Sequence, residues 1–401
     1  MNEIIKITDS VSWIGILDHD IKTFDVVMTT DYGTTYNSYF INAQKKAIIE
    51  TSKLKFWDTY KAKILSVVDP KAIDYIILDH TEPDHSGNVA NLLSIAPNAK
   101  IVGSANAVRY LKDMFDIDFE YIIVKDNDVL DLGDKTLRFF SVPNLHWPDS
   151  IYTYLEEDKL LFTCDSFGAH FCNDKMFDDL VGDYSDAFKY YFDVILKPYS
   201  AFLLKAIDKI KDLDIATICT GHGPIIRKNV DGIIALTKEY CQKYLSTPQS
   251  NYVFMPYVSA YHKTGDIANY VAQGIKEAGD FEVETLDIEN VGLDVISEKL
   301  TRAKAVLVGS PTINQNILLP VYQLFALINP IRDRLKLCAG FGSYGWSGES
   351  RYIIESNLKN LKLDYFEQGM FLKFSVLENR KAECVAFGKA FGEKLLTCNS
   401  K

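Results

Sequence analysis

Residues 4–28 carry short apolar alternations broken by Asp and Gly, the pattern of strands in a twisted sheet. A turn-rich stretch at 29–39 gives way to strand character again over 40–50. Over 51–65 the spacing predicts a helix with Trp57, Tyr60 and Ile64 on one side. The apolar run at 72–78 (AIDYIIL) predicts a buried strand. A helix at 88–93, a strand at 100–103, a helix at 106–114 and strands through Val124, Val129 and 137–142 follow. This is a strand-rich α/β pattern without strict β-α-β alternation. A helix at 238–245 closes it, and the polar, proline-containing break at 246–251 separates expected domains 1–250 and 251–401. Beyond the break the rhythm is regular. Strands at 252–258, 281–287, 305–309, 335–341 and 370–374 alternate with helices at 264–278, 293–300, 319–328, 350–361 and 380–396. Five strands alternating with five helices predict a doubly wound parallel sheet.

The buried strand at 72–78 runs into His80-Thr81-Glu82-Pro83-Asp84-His85. The chain has seven histidines, and two of them fall within these six residues beside two carboxylates. Ligand-type side chains at a strand end are the usual furniture of an α/β site. Three more emerge just past apolar runs: His146 after 139–143, Asp165 after 159–164 and His222 after 215–221. Alone, each reads as a satisfied polar residue at a strand end. Together with the first cluster they make four imidazoles and three carboxylates, enough for two metal ions. A set without thiolates suits iron or manganese as well as zinc.

In the second half, three loops past strand ends carry binding chemistry. Ser259-Ala260-Tyr261-His262-Lys263-Thr264 offers hydroxyls and helix N-terminal N–H groups to a phosphate, though Ser and Thr are also ordinary caps. Gly309-Ser310-Pro311-Thr312-Ile313-Asn314 ends the third strand. Gly342-Ser343-Tyr344-Gly345-Trp346-Ser347-Gly348 ends the fourth and sets two aromatics among glycines, which lets a planar ring approach the backbone. No G-x-G-x-x-G occurs, so direct nicotinamide binding is not indicated.

Length and composition fit this outline. A chain of 401 residues suits two domains, and 47% apolar with 24% charged residues is globular. A formal charge of −11 argues against nucleic acid or an anionic membrane as partner. No apolar run approaches a membrane span and the N-terminus lacks a leader pattern, so the expected location is cytoplasmic. The seven cysteines are scattered without a C-x-x-C pair. That spacing indicates reduced thiols and excludes an attached iron–sulfur or rubredoxin module.

The order H-x-E-x-D-H, then His, then Asp, then G-H-G-P resembles the metallo-β-lactamase fold, with Glu82 where that family usually has a third His. Glu at this position is the mark of the flavodiiron proteins. The resemblance extends to Asn144-Leu145-His146-Trp147-Pro148, to Asp165-Ser166-Phe167-Gly168-Ala169-His170, and to the flavodoxin FMN motifs S-x-Y-x-x-T, G-S-P-T and G-S-Y-G-W-S-G. It implies an N-terminal αββα sandwich and a C-terminal flavodoxin-like five-stranded sheet, the two-domain form without C-terminal extensions. It implies two irons, one held by His80, Glu82 and His146, the other by Asp84, His85 and His222, with Asp165 as bridge. His85 is the ligand that swings off in some members. His170 and Tyr191 stand as possible donors beside the site, although core packing or a surface position is the plainer reading of each. FMN would be held by Ser259, Tyr261, His262, Lys263, Thr264, Pro311, Thr312, Asn314, Ser343, Tyr344, Gly345, Trp346, Ser347 and Gly348. His262 and Lys263 replace smaller residues common in that loop. Where some members have His-Gly after Phe24, this chain has Asp25-Val26, and no role carries over.

The implied activity is reduction of O2 to water or of NO to N2O, with FMN relaying electrons singly from rubredoxin, a reduced deazaflavin or another external donor. The implied assembly is a head-to-tail homodimer, or a dimer of dimers, in which FMN of one subunit meets the irons of the other. Two rivals remain at this point. One is a binuclear metal hydrolase fused to a flavodoxin, and the other is an electron carrier whose metal domain is not catalytic.

Overall fold

The computed structural model describes residues 4–25, 28–246, 251–366, 369–373 and 378–398. The chain forms two compact units, Met1–Ser246 and Thr247–Lys401.

The first unit holds a seven-stranded sheet in the order Ile5–Lys6, Val11–Trp13, Tyr39–Ile41, Lys46–Ile49, Ile73–Ile77, Lys100–Gly103, Tyr121–Ile123. Its second sheet has five strands in the order Val129–Asp131, Thr136–Ser141, Ile151–Leu155, Leu160–Cys164, Thr217–Thr220. Strand side chains alternate between faces, and that alternation builds the layers. Ile49 and Ile77 from the first sheet meet Phe139, Leu155 and Phe162 from the second in one buried core. Ile48, Ile73 and Ile76, on the opposite face, pack with Tyr60, Ile64, Leu92 and Leu111 of the helices outside it. Phe140, Tyr152 and Leu161 pack under Phe188, Leu203 and Ile207 on the far side. The result is the expected αββα sandwich.

Two parallel pairings set the site. Ile73–Ile77 lies between Lys46–Ile49 and Lys100–Gly103, parallel to both. Leu160–Cys164 runs parallel to Thr217–Thr220. The loops beginning at His80, Asp165 and His222 therefore leave from the C-terminal ends of their strands. The helix expected at 51–65 begins only at Trp57, as Trp57–Val67, after a short 3-10 turn at Leu54–Phe56. Thr51 explains the delay. Its N–H and its hydroxyl both donate to the His85 carbonyl, at 2.8 and 2.5 Å, and Asn88 Nδ2 donates to Ser52 O at 3.0 Å. This stretch is tied to the His85 loop instead of to a helix of its own. The helices Ser185–Tyr191 and Ser200–Ile210 have no counterpart among the sequence expectations.

The second unit is a parallel sheet in the order Glu282–Asp287, Tyr252–Tyr257, Ala305–Gly309, Leu337–Tyr344, with two short strands sharing the fifth position. Asp364–Tyr365 pairs with Leu337 and Cys338, and Met370–Lys373 pairs with Phe341 to Tyr344. The single fifth strand expected at 370–374 is thus one piece of two, and Phe374 lies outside the described residues. The break is filled by Tyr365, whose hydroxyl accepts the Gly340 N–H at 3.1 Å. The order reverses between Tyr252–Tyr257 and Ala305–Gly309, the switch point where such sheets bind ligands. Among the described residues no helix is long and apolar enough to cross a membrane.

Lys63 is a test of the first unit's core. It is buried, its ammonium donates to Gly15 O and stands 4.0 Å from the centre of the Trp13 ring, and burial lowers its pKa to about 7. Between that value and the unfolded amine's, the folded chain binds fewer protons, so this group makes stability rise with pH across the window. Lys63→Met removes that slope. The expected gain is about 2 kcal/mol near pH 6, fading towards pH 10, because loss of the cation–π contact offsets part of the burial cost. Urea unfolding at several pH values checks it.

Candidate functional site

His80 and Glu82 lie two residues apart in the loop beyond the strand, and their side chains meet, Nε2 to Oε2, at 3.3 Å. Pro83 then opens a one-turn helix, Pro83–Ser86, which turns Asp84 and His85 inward. His146, Asp165 and His222 arrive from the second sheet. All seven residues converge, and they sort into two groups about Asp165. Asp165 Oδ2 lies 3.7 Å from Nε2 of both His80 and His146, and Glu82 Oε2 stands 3.3 and 3.0 Å from the same two nitrogens. Asp165 Oδ1 lies 3.3 Å from His85 Nε2 and 3.5 Å from His222 Nε2, with Asp84 Oδ2 at 3.6 and 3.2 Å from them.

The far sides of the rings explain their orientation. His80 Nδ1 faces the Asp149 carboxylate at 3.2 and 3.3 Å, and His222 Nδ1 donates to the Thr35 carbonyl at 2.5 Å. Both partners only accept, so each Nδ1 keeps a proton and each Nε2 turns inward, its lone pair open to a proton or a metal ion. Those lone pairs face carboxylate oxygens. Both oxygens of Asp84 and Oδ2 of Asp165 are buried without a hydrogen-bond partner. Acceptors facing acceptors at this range need cations between them, whether protons or metal ions. The donors would suit two hard-to-borderline ions, one on either side of Asp165.

Strained backbone gathers here. Glu50 (φ +59), Asn144 (φ +67) and Cys164 (φ +47) are non-glycine residues in left-handed conformations, the last two flanking His146 and Asp165. Each costs about 1–2 kcal/mol, which the surrounding packing must offset. Glycine is required on both sides of His222. A Cβ at Gly221 would stand 2.9 Å from His85 Cε1, and Gly223 (φ +75) lies where a Cβ would meet Ala169 O at 2.4 Å. Access is one-sided. The side chains of Glu82 and His146 are 16% and 20% exposed, while Asp84, His85 and His222 reach at most 6%. Asp25 (φ +46) carries a carboxyl raised by partial burial and then by Glu82 and Asp84, which sets it within their field; Val26 lies outside the described residues.

Tyr191 and His170 meet different fates. The Tyr191 hydroxyl donates to Asp165 Oδ1 at 3.0 Å, so this ring is not mere core packing. His170 Nδ1 lies 2.9 Å from Thr34 Oγ1, and its ring packs on Phe24 and Tyr191. Burial, then the charge of His222, pushes the His170 imidazole down to about 3, so it stays neutral.

In the second unit a cavity of about 430 Å³ opens at the switch point. Tyr261, Lys263, Thr264, Pro311, Thr312, Ser343, Tyr344 and Gly345 line it, with Ala260 and Ile313. Thr264 Oγ1 and Ser343 Oγ are 3.1 Å apart, and Ser259 Oγ accepts the Gly265 N–H at 3.2 Å, at the start of helix Lys263–Ala278. A volume in the small-molecule range, beside a helix N-terminus and an exposed aromatic, suits a flavin phosphate and ring. Ser259, His262, Asn314, Trp346, Ser347 and Gly348 do not line the cavity. Trp346 is largely exposed.

Known proteins match this chain over nearly its whole length. A family model described as ODP family beta lactamase matches residues 34–223, and the flavodoxin model matches 256–388. The flavo-diiron protein FprA2 of Clostridium acetobutylicum is 39% identical over 399 residues, covering 98% of this chain and 99% of that protein. The chain belongs to the flavodiiron proteins. Another relative, the nitric oxide reductase of Moorella thermoacetica, is 34% identical over 371 residues, 91% of this chain and 92% of that one. The rubredoxin oxygen:oxidoreductase structure from Desulfovibrio gigas superposes with a TM-score of 0.74 at 28% identity, covering 99% of this chain and 100% of that chain. The family carries a di-iron site and FMN.

In this flavodiiron protein the sequence reading passed over Glu50 and Asp149, which hold the metal-site loop. Asp149 also accepts the Thr81 N–H (2.8 Å) and hydroxyl (2.7 Å), and Glu50 accepts the N–H groups of Asp79 (2.6 Å) and His80 (3.1 Å). The strand-end rule that singled out Asp165 applies equally to Glu50, which ends the run 46–49. At the flavin loop, His262 sits at φ +60. His262→Gly is expected to stabilise the second unit by about 1 kcal/mol, whereas His262→Val costs about as much, because only glycine enters that region freely. Thermal melts of FMN-loaded protein check this.

Proposed function

We propose that this flavodiiron oxidoreductase reduces O2 to water or NO to N2O, with one iron on His80, Glu82 and His146, the other on Asp84, His85 and His222, and Asp165 between them. The observation that carries the reading is the divided Asp165 carboxylate, each oxygen turned to its own trio of donors. When bound, the two irons share the charge of a diatomic substrate and its reduction product, and FMN supplies electrons one at a time. The chain's own contribution is orientation. Asp149 and the Thr35 carbonyl fix the tautomers of His80 and His222, and Tyr191 holds Asp165. The more exposed Glu82–His146 side is the substrate's entrance.

Reduction of O2 needs four electrons and four protons, and coupling of two NO molecules needs two of each. FMN and two irons together suit both counts. The Moorella relative's name speaks for NO, and the Desulfovibrio protein's name speaks for O2 and for rubredoxin as donor. We place FMN on the loops that line the switch-point cavity, with the domain boundary at 250/251. A head-to-tail homodimer, or a dimer of dimers, in which FMN of one subunit meets the irons of the other, is the working assembly. Seven unpaired cysteines support a reducing, cytoplasmic setting. Glu82, 3.0 Å from His146 Nε2 where zinc hydrolases of this fold carry a third imidazole, speaks against the hydrolase rival. The deciding experiment compares turnover of O2 and NO by iron- and FMN-loaded protein with one common reductant. Turnover of either supports the reading, the kcat/KM ratio assigns the substrate, and inactivity with both overturns it.

A further inference from the structure

Glu50 is buried at the end of strand Lys46–Ile49, and its carboxylate is divided between two tasks. Oε1 accepts the backbone N–H groups of Asp79 and His80. Oε2 makes no conventional hydrogen bond and lies 3.0 Å from Nδ1 of His85. His85 differs from His80 and His222 in having two contenders for its ring proton. Cys164 Sγ approaches the same Nδ1 at 3.5 Å and Nε2 at 3.8 Å. A thiol sulfur is a weak acceptor, so it cannot by itself fix the tautomer.

We propose that Glu50 is the positioning residue that keeps the His85 proton on Nδ1 and thereby makes Nε2 a metal donor. This rests on the two-iron reading above. Geometry makes the charge of Glu50 indispensable, beyond its size. Two backbone N–H groups converge on Oε1, so in Glu50→Gln they require the amide oxygen at that position. The amide NH2 is then left facing His85 Nδ1. A donor at that place selects the other tautomer, with the proton on Nε2, where it blocks ligation. The substitution is isosteric and leaves the backbone anchor intact, yet it disables one ligand of one metal.

The test measures iron per chain and the rate of iron loss to a chelator, on FMN-loaded protein, with the melting temperature as control for folding. The wild type is expected to hold two irons. Glu50→Gln should keep one at the wild-type release rate and lose the other roughly 10–100-fold faster, matching His85→Ala. Glu50→Asp, which retains a carboxylate for the backbone but withdraws the second oxygen from His85, should show the same selective loss if Glu50→Gln does not fold. Cys164→Ala should hold both irons as the wild type does. Wild-type release of both irons from Glu50→Gln or Glu50→Asp overturns the proposal. So does equal loss of both irons, which would make the anchoring of His80 the operative contact, and so does selective loss in Cys164→Ala. Wild-type protein that takes up no iron overturns the two-iron reading itself and this proposal with it.

Discussion

Asp165→Ala lowers turnover with O2 or NO by about a thousandfold or more and leaves the protein with less than half of its iron. The expectation follows from the division of one carboxylate between two sets of donors. Oδ2 serves the His80, Glu82 and His146 side, and Oδ1 serves the His85, His222 and Asp84 side. No neighbour can replace it, because Glu82 and Asp84 already face their own imidazoles. Asp165→Asn gives a sharper version. The Tyr191 hydroxyl donates to Oδ1, which keeps an amide oxygen there and turns the NH2 towards His80 and His146. A donor cannot ligate, so the more exposed site empties first while the deeper site keeps metal. Iron analysis with turnover on the same preparation checks both variants. Two bound irons with activity within tenfold of wild type would show that Asp165 does not bridge.

The cluster of candidate metal donors was legible because each lies in a segment that follows an apolar run, where composition changes abruptly from apolar to ligand-bearing. The regular half was legible for a related reason. Parallel strands buried on both faces, such as Ala305–Gly309, are continuous apolar runs that a period-counting eye finds easily. What escaped was whatever depends on a partner distant in sequence. Nothing local in 51–56 says that Thr51 is bonded to the His85 carbonyl, so helical spacing was extended over residues that the loop had claimed. The break in the fifth strand depends on a tyrosine hydroxyl meeting a glycine N–H 25 residues away. Glu50 and Asp149 escaped in the same way, for their meaning lies in His85 and His80. A ligand declares itself by its type, but the residue that orients the ligand is an ordinary carboxylate until the contact is seen.

Loading the metal-free protein with Fe2+ near pH 7 releases about two protons per chain, and the affinity for each iron rises about tenfold per pH unit. Burial works to lower the His80 imidazole, but Asp149 and Glu82 outweigh it and raise it to about 10. His85 is likewise raised well above its ordinary value, burial being outweighed by Asp84 and then by Cys164 and Asp165. Near pH 7 both rings are therefore protonated when no metal is present. The carboxylates opposite are already ionised: burial would raise Asp84 and Asp165, but the imidazoles hold both below the usual range. Each iron needs the Nε2 lone pair that a proton occupies, so uptake displaces one proton from His80 and one from His85. The sign for folding runs the other way. The raised His80 value stabilises the metal-free fold below the unfolded histidine's pKa, and that contribution fades as pH climbs through about 10. Acidification thus strips the metal while imidazolium–carboxylate pairs keep the emptied pocket folded. Titration calorimetry in buffers of different ionisation enthalpy measures the protons released. His80→Ala and His85→Ala should each release about one fewer than wild type. Release of none would mean that the rings are neutral before metal arrives, and that the carboxylates around them do not hold their protons in place.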